Sequence, residues 1–218
     1  MKVCNLSDRN SLLNNFLKEI RSIDIQKDSM RFRRNLERVA EILSYELSKE
    51  LSYSSEVIQT PLAETKINTL SEKIVIASIL RAGVLFHQGV LNYFDKAENA
   101  FVSAFRKYKD SSHTDFDVFV EYIASPDLNG RTLILCDPML ATGESMELAY
   151  KALLTKGTPR KLHVLSLIAS EQAIAHMQKC FPENSTLWVA AVDPLLNKSS
   201  YIVPGLGDAG DLAFGCKL

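Results

Sequence analysis

The sequence predicts an α/β protein with a mostly parallel sheet flanked by helices, and three observations carry that expectation. Short apolar runs rich in Val, Ile and Leu recur along the chain. Helical patterns intervene between them, the arrangement that buries parallel strands under crossover helices. The 218 residues are 46% hydrophobic, enough for one domain with a real core, so a single domain over residues 1–218 is the default.

Taken in order, the start "MKVCNLSDRNSLLNNF" has no charged segment followed by an apolar core, so a cytoplasmic protein is expected. From about residue 31 to 51, Phe32, Leu36, Val39, Ile42, Leu43 and Leu47 recur at helical spacing between charged residues, which predicts a long amphipathic helix. "KIVIASIL", "AFVSAF", "TLILCD", "LHVLSLIA" and "LWVAAV" read as buried strands, far too short to span a bilayer. Helices are expected near residues 84–93, 145–156 and 171–180. Between the second and third strands, residues 106–131 place turn-forming residues around the alternating "FDVFVEY", either a flexible arm or a hairpin standing off the sheet.

Twenty-five basic against 26 acidic residues leave a formal charge of -1. No basic field points to nucleic acid, and small-molecule chemistry is favoured. Cys4, Cys136, Cys180 and Cys216 lie far apart, without a CxxC pair or ligand-like spacing to His87, His113, His163 or His176. They read as reduced structural thiols, and no dedicated metal cluster is expected.

The most informative stretch is "LILCDPMLATGESM", residues 133–146. A strand ending in Asp137 runs through a loop with Thr142, Gly143 and Ser145 into a helix. Such a seam puts orphan backbone N–H groups and a positive helix end at one point, which favours a phosphate. Gly143 permits close approach, and the hydroxyls of Thr142 and Ser145 add donors. An ordinary βα turn with Ser145 as N-cap is the bland alternative. A nucleotide P-loop is not expected, since GxxxxGK[ST] is absent.

The string "DPMLATGES" resembles the ribose-phosphate loop of uracil phosphoribosyltransferases, DPMLATGGS in the family form, and differs from it only at Glu144. "ILRAG" at 79–83 resembles the family's pyrophosphate loop, and "YIVPGLGDAGD" at 201–211 its uracil-binding segment. "AAVDPLLN" at 190–197 also fits, and the motifs follow the family order. The resemblance implies a type I phosphoribosyltransferase fold with a flexible arm. It also implies a hood over the sheet's carboxyl edge, to which N-terminal helices at about 1–55 and a C-terminal segment at about 195–218 contribute. The reaction implied converts uracil and 5-phospho-α-D-ribose 1-diphosphate (PRPP) to UMP and diphosphate.

The roles follow residue by residue. Asp137 is expected to accept from the ribose hydroxyls at a strand's carboxyl end. Pro138, Met139, Leu140, Ala141, Thr142, Gly143, Glu144 and Ser145 form the PRPP loop. Arg81 offers a fork of donors to the diphosphate and assists its departure, against the alternative of a surface ion pair. Arg106, beside Lys107 and Lys109, falls where the family carries a PRPP arginine, although three neighbouring cations also suit a solvated face. The family equivalents of Ile202, Gly207, Asp208 and Ala209 read uracil, and Asp208 also touches PRPP. Tyr201 either stacks near the base or simply packs. Mg²⁺ is expected to arrive on the diphosphate rather than on protein ligands. A homo-oligomer, dimer or larger, is implied, with no nucleic-acid or membrane partner.

Three places depart from the family: Glu144, the stretch "EYIASP" at 121–126 with Ala124 in place of a lysine, and "ASEQ" at 169–172. Two other readings compete. An RNA-binding regulator on the same fold would need a basic face, which the charge balance does not supply. A purine-specific enzyme would not carry the uracil-type segment at 201–211.

Overall fold

The structure is a computed structural model that describes residues 1–108 and 116–216, with 104–108 and 116–120 described by backbone alone. The centre of the expected arm, residues 109–115 with His113, lies outside the described residues. The chain opens with β1 (Lys2–Asn5) and two helices, α1 (Leu13–Arg21) and α2 (Ser29–Ser48). A hairpin follows, β2 (Tyr53–Gln59) and β3 (Glu64–Leu70), then β4 (Ile74–Leu80), α3 (Gly83–Leu91), β5 (Glu98–Tyr108) and β6 (Phe116–Ala124). The second half runs β7 (Thr132–Cys136), β8 (Met139–Leu140), α4 (Glu144–Leu153), β9 (Lys161–Ser170), α5 (Glu171–Cys180) and β10 (Thr186–Asp193). A short pair, β11 (Leu195–Leu196) and β12 (Ile202–Val203), leads into α6 (Ala209–Phe214).

The main sheet has the order β1-β10-β9-β7-β4-β5-β6, with β8 pairing β9. All its pairs are parallel except β5 with β6. The apolar runs are strands because both of their faces are buried. Ile74 and Ile76 of β4 join one core with α2 and α3, while Val75, Ala77 and Ile79 join the other with α4 and α5. Full burial of each such side chain contributes about 1.5–3 kcal/mol, so continuous apolarity is the stable solution for these strands.

α2 realises the expected long helix. Asp28 caps it by accepting from the Arg31 N–H, and Phe32, Leu36, Val39, Leu43 and Leu47 are buried on one stripe. α3 presses so closely on α2 that a Cβ at Gly89 would lie 2.3 Å from the Glu37 carbonyl oxygen. Any side chain there would drive the helices apart. The helix expected at 145–156 is α4 followed by a 3₁₀ turn, Leu154–Lys156.

Of the two arm readings, the backbone matches a hairpin, but one that belongs to the sheet. β6 pairs β5 from Phe101↔Ala124 to Tyr108↔Phe116, across a bulge at Ser103/Ala104. The thiols expected to be structural divide: Cys136 is buried, whereas Cys180 and Cys216 are exposed.

Connectivity reverses between β4 and β7. From β4 the chain passes through α3 to β5 on one side, and from β7 it passes through α4 and α5 to β9 and β10 on the other. A crevice opens where crossovers diverge in this way, outside the carboxyl ends of the strands. β4 and β7 run in register, Ser78 beside Cys136, so their following loops meet at that crevice.

Candidate active site

The crevice is a cleft of about 620 Å³. Its walls come from the loop after β4 (Arg81), the loop after β7 (Asp137, Met139 to Gly143, Ser145) and the segment around Ile202 and Gly207 to Asp211.

The loop from β7 to α4 is held from behind. Asp137 N–H donates to the Leu165 carbonyl at 3.2 Å, and the Asp137 carboxylate accepts from Met139 N–H at 3.2 Å, an Asx-type turn. Ser170 Oγ donates to the Ala141 carbonyl at 2.6 Å and also caps α5 by accepting from Ala173 N–H. Gly143 has φ +86°, and a Cβ there would meet His176 Cδ2 at 3.1 Å and the Ala173 carbonyl at 3.3 Å. Glycine is therefore required by conformation and by space.

Gly143, not Ser145, is the N-cap of α4, and no side chain caps the helix. The Glu144 N–H donates to Thr142 Oγ1 in a long bond of 3.4 Å, and the start of α4 lacks the Ser145 cap that the bland alternative would have supplied. Cys136, immediately before Asp137, is fully buried and donates to the Ala77 carbonyl at 3.2 Å. Burial pushes its thiol well up, and the Asp137 charge adds to this, so it stays protonated.

Arg81 reaches the cleft from the end of β4. Its Nη2 donates to Asp211 Oδ1 at 2.8 Å and its Nη1 to the Gly215 carbonyl at 3.4 Å. Its Nε is buried without a hydrogen-bond partner among the described residues. A guanidinium with a spare donor beside a cleft suits an anion.

The third wall is anchored by Asp193, at the end of β10. Its carboxylate accepts two bonds from Arg21 of α1, at 2.8 and 2.9 Å, and one from Gly205 N–H at 2.9 Å. Arg21 also donates to the Gly205 carbonyl at 3.2 Å. Asp208 caps α6 by accepting from Asp211 N–H at 2.9 Å. At Gly207, φ is +97° and, its chain neighbours aside, no atom of the described residues lies within 4 Å of where a Cβ would sit.

The structure brings together Arg81, Asp137, Met139, Leu140, Ala141, Thr142, Gly143, Ser145, Ile202, Gly207, Asp208 and Ala209. Pro138 and Glu144 do not line the cleft. The Pro138 carbonyl turns toward β9 to accept Ile168 N–H, and Glu144 begins α4 with an exposed side chain. Arg106 lies on β5 opposite Val118, and its side chain is outside the described part of the structure. Tyr201 lines the cleft, and its ring is partly exposed.

Sequence reasoning missed Asp211, although it ends a segment already singled out, and it missed the Arg21–Asp193 pair. Asp193 sits inside "AAVDPLLN", but nothing local names a partner 172 residues away.

A model of the uracil phosphoribosyltransferase family matches residues 7–216. The chain is 56% identical over 218 residues to a uracil phosphoribosyltransferase of Porphyromonas gingivalis, covering 100% of both chains. It is 35% identical over 198 residues to one of Thermococcus gammatolerans, covering 89% of this chain and 86% of that one. A solved structure from Aquifex aeolicus superimposes with a TM-score of 0.85 at 28% identity, over 98% of each chain.

Proposed function

The chain belongs to the uracil phosphoribosyltransferase family, and from that premise we propose how its cleft divides the work of the reaction. It is a pentosyltransferase of the type I fold: uracil and PRPP become UMP and diphosphate. One observation carries the assignment of parts. Arg81 and the Asp137 loop leave neighbouring strands at the point where connectivity reverses, and the Gly207–Asp211 segment faces them across the same cleft.

The N–H groups at the start of α4, with the hydroxyls of Thr142 and Ser145, receive the 5-phosphate. Asp137 accepts from the ribose hydroxyls. Arg81 holds the diphosphate and stabilises its charge as the bond to ribose breaks, with Arg106 on β5 as a second cation. Backbone groups of Ile202, Gly207, Asp208 and Ala209 match the acceptor, donor, acceptor edge of uracil. Cytosine, with an amino donor in place of O4, leaves such an N–H unpaired and is rejected. Positive charge develops on the ribose, and the chain acts by positioning and electrostatics. Met139 to Ala141 shape the ribose wall.

Asp137, Asp208 and Asp211 line the cleft, a set of hard oxygen donors that suits Mg²⁺ carried on a diphosphate. Bound there, the ion would neutralise diphosphate charge. The working protein is proposed as one domain, a cytoplasmic homo-oligomer. Among the described residues no helix is long and apolar enough to cross a membrane.

Incubation with PRPP, Mg²⁺ and labelled uracil, cytosine, hypoxanthine or guanine tests the proposal. Only uracil should yield a nucleotide. A purine product, or none from uracil, would overturn it.

A further inference from the structure

Away from the cleft, α4 and α5 bring three metal-ligating side chains to one spot. His176 Nε2 lies 2.7 Å from Glu147 Oε2 and 3.7 Å from Cys180 Sγ. One ligand atom from each residue lies within 4.8 Å of the others. His176 and Cys180 are one helical turn apart and share a face of α5, while Glu147 reaches across from α4. The sequence alone shows no ligand set here, because the third member comes from another helix. We propose that Glu147, His176 and Cys180 form a site for a borderline-soft divalent transition metal of the zinc type, with water as the fourth ligand.

Tetrahedral zinc bonds of about 2.0 Å to nitrogen and about 2.3 Å to sulfur hold those two atoms about 3.5 Å apart. The observed separation is 3.7 Å, so the helix already presents the pair at ligand spacing. The nitrogen and carboxylate oxygen would open from their hydrogen-bond distance to about 3.3 Å, since the metal takes the place of the proton between them. The Cys180 thiol gives its proton to solvent, the neutral imidazole coordinates through Nε2 with its proton on Nδ1, and Glu147 binds as carboxylate. Thiolate and carboxylate together balance the charge of the ion. Lys151 Nζ, 2.5 Å from Glu147 Oε1, holds the other carboxylate oxygen and fixes its orientation.

Cys180 is exposed and the other two side chains are half-buried, so an ion has access. A thiolate among the ligands sets the site apart from any that takes Mg²⁺, which prefers oxygen. The same imidazole packs beneath Gly143, where a Cβ would meet its Cδ2 at 3.1 Å. A metal there would pin the start of α4 from below.

The test uses the full chain with Cys4 and Cys216 changed to Ser, leaving Cys180 as the one exposed cysteine. Titration with Co²⁺ should give one equivalent of binding, with the visible bands of a tetrahedral site and a thiolate-to-metal charge-transfer band. Zn²⁺ should abolish both and raise the unfolding midpoint. Cys180→Ser, His176→Gln and Glu147→Gln should each weaken binding about 10-fold or more and cancel the midpoint rise that Zn²⁺ gives over chelator in the same variant. Absence of the charge-transfer band, or equal binding by Cys180→Ser and His176→Gln, would overturn the site.

Discussion

Arg81 Nη2 lies 2.8 Å from Asp211 Oδ1, so an ion pair ties the loop after β4 to the first turn of α6 across the cleft. The side chains are 37% and 33% exposed, and a pair so open to solvent contributes at most about 1 kcal/mol. A diphosphate, with more charge and more oxygens than one carboxylate, displaces it readily.

Arg81→Ala is therefore expected to lower kcat/KM for PRPP by about 10² or more, the scale of losing one transition-state donor. Arg81→Lys should recover only part, since the charge survives and the fork does not. Steady-state kinetics beside a circular dichroism spectrum decide. A folded Arg81→Ala protein with normal rates removes Arg81 from the reaction.

Asp193→Asn should harm both stability and base binding. The Asp193 side chain is 6% exposed and accepts three hydrogen bonds, so the change leaves the Arg21 guanidinium, itself 24% exposed, without its counter-charge. Breaking such a pair costs about 3 kcal/mol. For a chain of this length the unfolding midpoint should fall by roughly 6–12 °C. Because Gly205 is released too, KM for uracil should rise more than KM for PRPP, and an equal rise would place the damage elsewhere.

Glu144→Gly tests whether the departure from the family loop matters. The Glu144 side chain is exposed and does not line the cleft, while its position in the first turn of α4 suits the helix dipole. KM for PRPP should stay within roughly fivefold, equivalent to about 1 kcal/mol. Stability should drop slightly, as glycine is a poor helix former. Substrate binding a hundredfold tighter would mean that the carboxylate faces the phosphate.

Stability should fall with pH in a window set by histidine. His163 is fully buried and accepts from Trp188 Nε1 at 3.1 Å, and its Nε2 has no partner among the described residues. Burial pushes its pKa down to about 4, helped by Lys161. Above pH 6.5 the ring is neutral in both states and contributes no pH dependence. As pH falls from about 6.5 to 4, the unfolded chain takes up a proton that the native one refuses, and about 3 kcal/mol is lost. His87, also lowered by burial, acts with the same sign. Burial alone would raise the Glu72 pKa, but the Thr132 and Ser52 bonds hold it at about 2, so its contribution is lost at lower pH. Denaturant titrations at pH 7, 5.5 and 4.5 should show the slope, and His163→Gln should flatten it. An unchanged slope in that variant assigns the effect to other groups.

The sheet was legible because β4, β7, β9 and β10 are buried on both faces, which leaves unbroken apolar runs. The β2–β3 hairpin was not, since its residues are almost all exposed and no burial rhythm marks them. α1 was anticipated only in outline, within the N-terminal helices at about 1–55: Leu13, Leu17 and Ile20 are buried at helical spacing, but nine residues hold only that one repeat. Within the cleft, residues at strand ends such as Arg81 and Asp137 could be read from the run before them. Pairings such as Arg21 with Asp193 depend on how distant segments fold together, and no local pattern encodes them.

The register Lys2↔Thr186 has a consequence for the order in which the molecule comes into being. A ribosome adding about 5–20 residues per second makes residue 186 about 10–40 s after residue 2. Throughout that interval the first strand waits for β10, and Arg21 waits for its carboxylate. The wall carrying Arg81 and Asp137 draws on strands from the middle of the chain and can be assembled earlier in translation. The base pocket is the last part of the nascent protein to take shape, so an interrupted chain would carry the phosphate loop long before it had any means of choosing a base.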